Sequence, residues 1–420
     1  MVRPDCIHKI GPRGVFFAPI NIRKRGEMDN RFWFIFFENL LDAGKIHELD
    51  WGGRNLWTVF RYDDCLAALK DQRLSSRRMA AVLASLPENE RGQFSELQHV
   101  MGLWLLFMDA PEHSRLRKLM NKGFSPTAIE HLRPQVEAIV DRMLDSMNNA
   151  SEVDLMPAIA HPLPVSVIAE LLGVPDTMQT QLTEWSDAIA TFVGNPRRTV
   201  EQTTAAQDAI TGLTSYFRQI VGERRLHKRD DLISLLLEIE ADGETLTEDE
   251  LYAQCVMLLF GGHETTRNLI GNGIYSLLRN PHELARLLDD PDLIRSSVEE
   301  MLRFDSPVQY LNRVAKEEVE ICGVRIQAGN PVIIMLGAAN RDPNRFRDPD
   351  TLDLGRLNNP HLAFGGGPHF CIGNQLARLE GQVAILRTIA RFPNMRLADR
   401  LPTRAHNFAL RGFQSLPILL

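Results

Sequence analysis

The stretch from Thr247 to Asn280 constrains the fold more than any other part of the chain. Thr247 followed by Glu250 makes a capping box, in which each side chain satisfies a backbone N–H at a helix start. Asn280-Pro281 supplies the stop, because proline disfavours a helical residue before it. About 32 residues lie between the two signals, or roughly 48 Å of helix. A helix of that length crosses a whole domain, and the remaining elements must pack around it. The same segment carries a conflict. "FGGHETT", Phe260–Thr266, places two glycines mid-helix, each costing about 1 kcal/mol against alanine. A glycine pair favours a kink. It also lets a second helix cross closely, and on that ordinary reading Glu264 points to solvent. The zinc-protease pattern HExxH is not met, because Arg267 stands where its second histidine would be.

Other segments are mostly helical. Val136, Ile139, Val140, Met143, Leu144 and Met147 recur at three- and four-residue steps behind Pro134, which predicts an amphipathic helix. Strand signals are fewer. Leu56–Tyr62 alternates and is rich in β-formers, and Val324–Ile326 and Val332–Leu336 flank the turn "QAGN" as a hairpin or sheet edge. The expected fold is mostly α with small, segregated β-sheets. A chain of 420 residues is long for one domain. No Pro/Gly/Ser linker or charge run offers a cut, so residues 1–420 are expected to form a single domain.

Charge and cysteine usage exclude several classes. The net charge of −7 argues against a nucleic-acid partner, whose footprint is basic. The cluster Arg224, Arg225, His227, Lys228 and Arg229 is the exception, and reads as a solvated loop or helix end. Cysteines at 6, 65, 255, 322 and 371 are too sparse for a disulfide framework or a CxxC metal site, which fits a reducing cytoplasm. "FWFIFF", Phe32–Phe37, is far shorter than the roughly 20 residues of a membrane span. With no signal-peptide pattern at the start, a cytoplasmic protein without a membrane anchor is expected.

One cysteine stands in an unusual place. "FGGGPHFCIG", residues 364–373, sets Cys371 in a glycine-rich turn. Behind it Ile372, Leu376, Leu379, Val383, Leu386 and Ile389 mark one helical face, so Cys371 precedes a helix N-terminus. Amide dipoles there lower a thiol's pKa. Gly365, Gly366, Gly367 and Gly373 allow tight bends and close approach of N–H donors. A cysteine hydrolase needs a histidine base; His369 is near, but no oxyanion or triad pattern is legible. Neither phosphate-loop pattern, GxxxxGK[ST] or GxGxxG, is present. A haem iron already has four nitrogen ligands, so a single axial thiolate suffices, and it favours O–O bond cleavage. Only this third reading explains one cysteine rather than several.

The pattern FxxGxxxCxG, met by Phe364, Gly367, Cys371 and Gly373, resembles the haem-binding signature of the cytochrome P-450 family. Further landmarks follow in family order over roughly residues 30–420. "EMLR" resembles the family's ExxR, with Glu300 and Arg303 as a structural pair beneath the haem. "PEHSRLR" resembles its HxxxR element, with His113 and Arg117. "NRVA" places Arg313 at a family arginine, and His369 lies two residues before the cysteine. The resemblance makes these four the donors to the haem propionates. Two buried carboxylates need such charge-assisted partners. "GGHETT" resembles the [AG]GxxT oxygen-binding element, with Glu264 and Thr265 as an acid–alcohol pair for proton delivery and Gly261 and Gly262 clearing room for dioxygen.

The resemblance therefore implies a cytochrome P-450 fold with the long helix over haem b, iron protoporphyrin IX on a Cys371 thiolate. It implies a monooxygenase, dependent on O₂ and two electrons, that acts on a hydrophobic small molecule by hydroxylation, epoxidation or oxidative coupling, in secondary metabolism. A ferredoxin and an NAD(P)H-driven ferredoxin reductase are the implied partners, the enzyme being a monomer of the soluble bacterial type. Arg115, Lys118 and Arg378 are candidate ferredoxin contacts, or ordinary solvated charges. By resemblance the pocket is walled by about 76–107, 170–205, Met257–Thr265, Val308–Leu311 and Phe408–Leu410, with Met257, Phe260, Gly261, Gln309 and Phe408 facing substrate. Its apolar residues, Leu83, Leu86, Leu103 and Trp104 among them, suit a hydrophobic or partly aromatic ligand. The alternatives are a peroxide-driven peroxygenase, which usually departs from the acid–alcohol pair, and a non-catalytic haem-binding sensor or recruitment module.

Overall fold

The capping box forms as expected: the Thr247 hydroxyl accepts from the Glu250 N–H at 3.2 Å, and the Glu250 carboxylate accepts from the Thr247 N–H at 2.9 Å. The helix it starts runs unbroken over Glu248–Arg279. The computed structural model describes residues 7–10, 46–51, 54–79, 82, 88–195, 198–241, 246–405, 407 and 409–420. The apolar run 32–37 and the candidate pocket residues Leu83, Leu86 and Phe408 lie outside the described residues.

The helices that matter for the site are, in chain order, α1 (Tyr62–Lys70), α2 (Glu112–Gly123), α3 (Arg133–Asp145), α4 (Pro162–Leu172), α5 (Gln179–Gly194), α6 (Val200–Leu226), α7 (Glu248–Arg279), α8 (Ile294–Phe304) and α9 (Asn374–Arg391). The central helix α7 packs against α4, α5, α6, α8 and α9. Its faces are therefore buried nearly all round, which explains why its apolar residues do not form one stripe. Helix α3 carries Pro134 in its first turn and buries Val136, Ile139, Val140 and Leu144 as their spacing predicts.

A six-stranded sheet forms a second, smaller core. Its strands are β1 (Ile7–Ile10), β2 (Ile46–Trp51), β3 (Arg54–Val59), β4 (Leu74–Ser75), β5 (Leu311–Ala315) and β6 (Pro331–Ile334), in the order β1-β2-β3-β6-β5-β4. Val59, Val332 and Ile334 are fully buried in it. The mostly α fold with segregated sheets is thus what the chain adopts.

Several local expectations change. The strand expected over Leu56–Tyr62 covers Arg54–Val59, and Tyr62 instead opens α1. Asp63 and Asp64 favour a helix start there, and the Asp342 carboxylate accepts from the Tyr62 N–H at 2.9 Å. The hairpin across "QAGN" does not form: Val324–Ile326 pairs with Val319–Ile321, and β6 joins the large sheet. The two glycines of α7 divide the roles considered for them. A Cβ on Gly262 would lie 2.9 Å from Ile168 of α4, so Gly262 is the close crossing. Gly261 is exposed with nothing within 4 Å of such a Cβ. Arg224 is not solvated. Its side chain is 2 % exposed, pairs with the buried Asp231 carboxylate, and donates to the Gly173 carbonyl at 2.7 Å. A counter-ion seven residues away, across the turn that ends α6, draws it inside.

Candidate active site

The Cys371 loop is built by backbone geometry. Gly367 has φ +64, and a Cβ there would lie 2.5 Å from the Leu69 carbonyl oxygen of α1, so only glycine fits. The loop then doubles back, and the Cys371 N–H donates to the Phe364 carbonyl at 3.0 Å. Asn374, the first residue of α9, donates its side-chain amide to the Cys371 carbonyl at 2.7 Å. Phe364 packs edge-on to Phe370 and lies under the Arg378 guanidinium, 4.5 Å from its ring centre. Gly373, with φ −81, needs no special conformation. Two influences oppose each other at the Cys371 thiol. Burial pushes it up, and the Gly373 N–H with the Arg117 and Arg378 charges pulls it down only in part. The lowering influences offset only part of the burial, and a cation bound at the sulfur would favour the thiolate further.

Four nitrogen donors gather near this loop. The His113 and His369 rings lie 4.1 Å apart, with His369 Nε2 3.1 Å from the Ser76 hydroxyl. His113 is buried, and its Nε2 has no hydrogen-bond partner. Arg313 is 3 % exposed, and Nη1 donates only to the Asn312 carbonyl, at 2.9 Å. Arg117, half-buried, donates Nε to Asn121 at 3.0 Å. Burial, then the neighbouring cations, push His369 down to about 3 and also lower His113. Burial pushes Arg313 down to about 10, against the pull of Asp109. Among the described residues no carboxylate lies within ion-pair distance of either arginine.

On α7, Gly261 and Thr265 share one face, and the Thr265 hydroxyl donates to the Gly261 carbonyl at 2.8 Å. Glu264 does not point to solvent. It is 5 % exposed, 3.0 Å from Arg267 and 3.4 Å from the Asn268 amide. Burial raises its pKa, with Arg267 opposing. Met257 and Phe260 are buried, and Phe260 stacks on Trp104 with ring centres 5.3 Å apart. Gln309 is buried too, donating its amide to the Ser306 carbonyl at 2.6 Å and packing against Gly337, which ties it to the scaffold. His263, in the same motif, stacks on His161 at 4.8 Å beside Asp187. The rings are 6° from parallel, so no single ion can lie in both ring planes.

Glu300 and Arg303 form a different kind of site. Both are 0 % exposed and joined by two bonds of 2.8 Å. Arg303 also donates to the carbonyls of Asn340, Pro349 and Thr351. Glu300 accepts from the Asp353 N–H, the Asn359 amide and Arg356 Nε. Arg356 is a partner that sequence reasoning missed. It lies 53 residues beyond Arg303 in a loop with no periodicity to mark it. Two of the candidate ferredoxin contacts are engaged internally: Arg115 pairs with Glu250, and Arg378 with Glu299 at 2.6 Å.

The comparisons with known proteins agree with this geometry. The family model "Cytochrome P450" matches residues 12–400. The chain belongs to the cytochrome P450 family. It is 38 % identical over 362 residues to the biotin biosynthesis cytochrome P450 of Bacillus subtilis, covering 86 % of this chain and 89 % of that protein. It is 36 % identical over 395 residues to 6-deoxyerythronolide B hydroxylase of Saccharopolyspora erythraea, covering 92 % and 96 %. The crystal structure of P450BioI in complex with acyl carrier protein ligated to hexadec-9Z-enoic acid matches with a TM-score of 0.86 at 36 % identity, covering 93 % of this chain and 98 % of that one. The chain is thus a haem monooxygenase, its cofactor haem b on a cysteine thiolate, and bacterial P450s draw electrons from partners such as ferredoxin. Among the described residues no helix is long and apolar enough to cross a membrane.

The residues present fit that cofactor. Haem b brings two carboxylates, and the His113–Arg117–Arg313–His369 group offers cations and an unpartnered buried nitrogen without carboxylates of its own. The open face of Gly261 provides space on an otherwise buried helix.

Proposed function

We propose that Cys371 is the axial thiolate, that His113, Arg117, Arg313 and His369 hold the propionates, and that Glu264 and Thr265 move protons during oxidation of a hydrophobic small molecule. The observation that carries this reading is the gathering of those four donors, with no carboxylate among the described residues in ion-pair contact with Arg117 or Arg313, around the one cysteine set before a helix N-terminus. Bound haem supplies the electron transfer and oxygen activation. The protein's own residues do the rest. Arg117 and Arg313 neutralise charge that would be costly to bury alone. Thr265, on the face shared with Gly261, offers a hydroxyl that both donates and accepts. Glu264, raised by burial, exchanges protons nearer neutral pH than an exposed carboxylate and connects to Arg267. Phe260, Met257 and Trp104 present apolar surface to substrate.

A ferredoxin and an NAD(P)H-driven reductase supply the electrons, and the substrate belongs to lipid or natural-product metabolism. Relatives named for biotin biosynthesis and for polyketide biosynthesis support that breadth. The test is an optical screen of acyl, terpene and polyketide ligands for a haem spin-state shift, followed by turnover. Product formed with NAD(P)H and a surrogate ferredoxin system supports the monooxygenase. Product formed with hydrogen peroxide alone at equal rate would make it a peroxygenase, and no product from any spin-shifting ligand would favour the sensor.

A further inference from the structure

The stretches that wall the pocket read as apolar, yet the structure holds two half-buried cations within them. Arg78 follows β4, and Arg198 lies in the connection between α5 and α6. Both are half-buried. Arg78 lies over the Phe107 ring at 4.4 Å and reaches the Ser76 carbonyl at 3.4 Å. Arg198 lies over the Phe192 ring at 5.0 Å and donates to the carbonyls of Phe192 at 2.7 Å and Val193 at 3.4 Å. Rings and carbonyls hold both guanidiniums in place, and neither meets a carboxylate among the described residues. The neighbouring Arg77 shows the usual arrangement, exposed and paired with Glu112 at 2.8 Å.

Both arginines lead toward Tyr310. β4 pairs antiparallel with β5, Ser75 opposite Val314, so the chain after β4 runs back along the residues before Leu311. Gly194 abuts Asn407, whose side chain accepts from the Ala409 and Leu410 N–H groups beside the Val308–Leu410 bridge. Burial, then Arg313 and Arg198, push Arg78 down to about 9. Tyr310, next to the buried Gln309, lies within the field of both Arg78 and Arg198. Two like charges withdrawn from water without a counter-ion are unfavourable unless an anion joins them. A carboxylate fits a guanidinium by paired N–H···O bonds, and a phenol adds one more donor.

We propose that Arg78 and Arg198, assisted by Tyr310, form the anion-binding end of the substrate pocket, so that this P450 takes molecules with a carboxylate at one end of an apolar body. The inference rests on the monooxygenase reading and narrows its substrate class. The acid is held between the two arginines, and the apolar remainder lies along Trp104, Phe260 and Gly261. The site of oxidation is then set by its distance from the carboxylate.

The test uses holoenzyme and probes that report through haem itself. Alkanoic acids of graded length bearing a terminal imidazole, and their methyl esters, ligate the iron and shift its Soret band whatever else the pocket contains. The acids should bind about ten-fold or more tightly than the esters at the best length, as expected for a charge-assisted contact. Arg78→Gln and Arg198→Gln should each shrink that ratio and leave ester affinity unchanged, and Arg198→Lys should restore part of it. Equal affinity of acid and ester at every length overturns the proposal, as does a ratio that survives the double variant. Loss of haem from Arg78→Gln with an unchanged ratio would also overturn it, by assigning Arg78 to the propionates. The reduced, carbon monoxide-bound spectrum tests the haem-thiolate reading separately in the same samples.

Discussion

Two buried groups of charge differ in where their counter-charge comes from. Around Glu300 and Arg303 every charge is matched within the chain. All five N–H donors of Arg303 are engaged, and Glu300 holds Arg356 as well. Around His113, Arg117, Arg313 and His369 the donors outnumber the acids, and the nearest one, Asp109, is already engaged by Ser75 and Ser76. The first group is complete without a ligand and acts as scaffold. The second is incomplete by itself, as a site for an acidic cofactor should be. A buried ion pair and a buried cation thus carry opposite messages.

The closed group should give the largest effects. Arg303→Ala leaves Glu300 buried with one cation fewer, at a cost of about 3–5 kcal/mol, and the protein should lose its cooperative thermal transition with or without haem. Arg224→Ala belongs to the same class. It strands Asp231 and should lower the melting temperature with little effect on haem content per folded molecule. If Arg224→Ala melts like wild type, burial beside a counter-ion is a poor marker of scaffold.

The open group should respond in the other sense. Arg313→Ala and Arg117→Ala should each weaken haem retention by roughly 1–3 kcal/mol. The apoprotein should melt no lower in Arg313→Ala than in wild type, since a buried cation without a counter-ion has been removed. Haem transfer to apomyoglobin, alongside apoprotein melting, separates the two effects. Equal destabilisation of apoprotein and holoprotein would erase the contrast between the groups.

Much of this was legible in the sequence for physical reasons. The capping box, the Asn-Pro stop and the glycine-framed cysteine are local chemistry, read from neighbours in the chain. The β6 register was not, because "QAGN" specifies a turn but not which strand β6 will join. Arg356 and the burial of Arg224 were invisible for the same reason: their partners arrive from loops whose path depends on packing. The donors that lower the Cys371 thiol were legible from spacing, whereas the opposing burial depends on the finished fold.

Smaller effects concern the acid–alcohol pair and one silent acid. Thr265→Ala should leave NAD(P)H consumption in place while product per electron falls several-fold and hydrogen peroxide rises. Glu264→Gln should slow consumption itself, because it removes an ionisable relay rather than a local donor. An unchanged ratio of product to reductant in Thr265→Ala would assign proton delivery to another group. Glu380 on α9 is fully buried with its Oε2 unpartnered, and burial holds its carboxyl far above the usual range. A folded-state pKa above the unfolded one means that stability falls as pH rises through the ordinary carboxylate range. Glu380→Gln should therefore match wild type near pH 4 and equal or exceed it near pH 7, by melting temperature.

The most direct measurement is the reduced, carbon monoxide-bound spectrum of wild type, Cys371→His and Cys255→Ser. Cys255 is a buried thiol in α7, pushed up to about 12, and serves as the control. Wild type and Cys255→Ser should show the red-shifted Soret band of a thiolate ligand, and Cys371→His should lose it even where haem is retained. The band persisting in Cys371→His, or vanishing in Cys255→Ser instead, would contradict the assignment of Cys371.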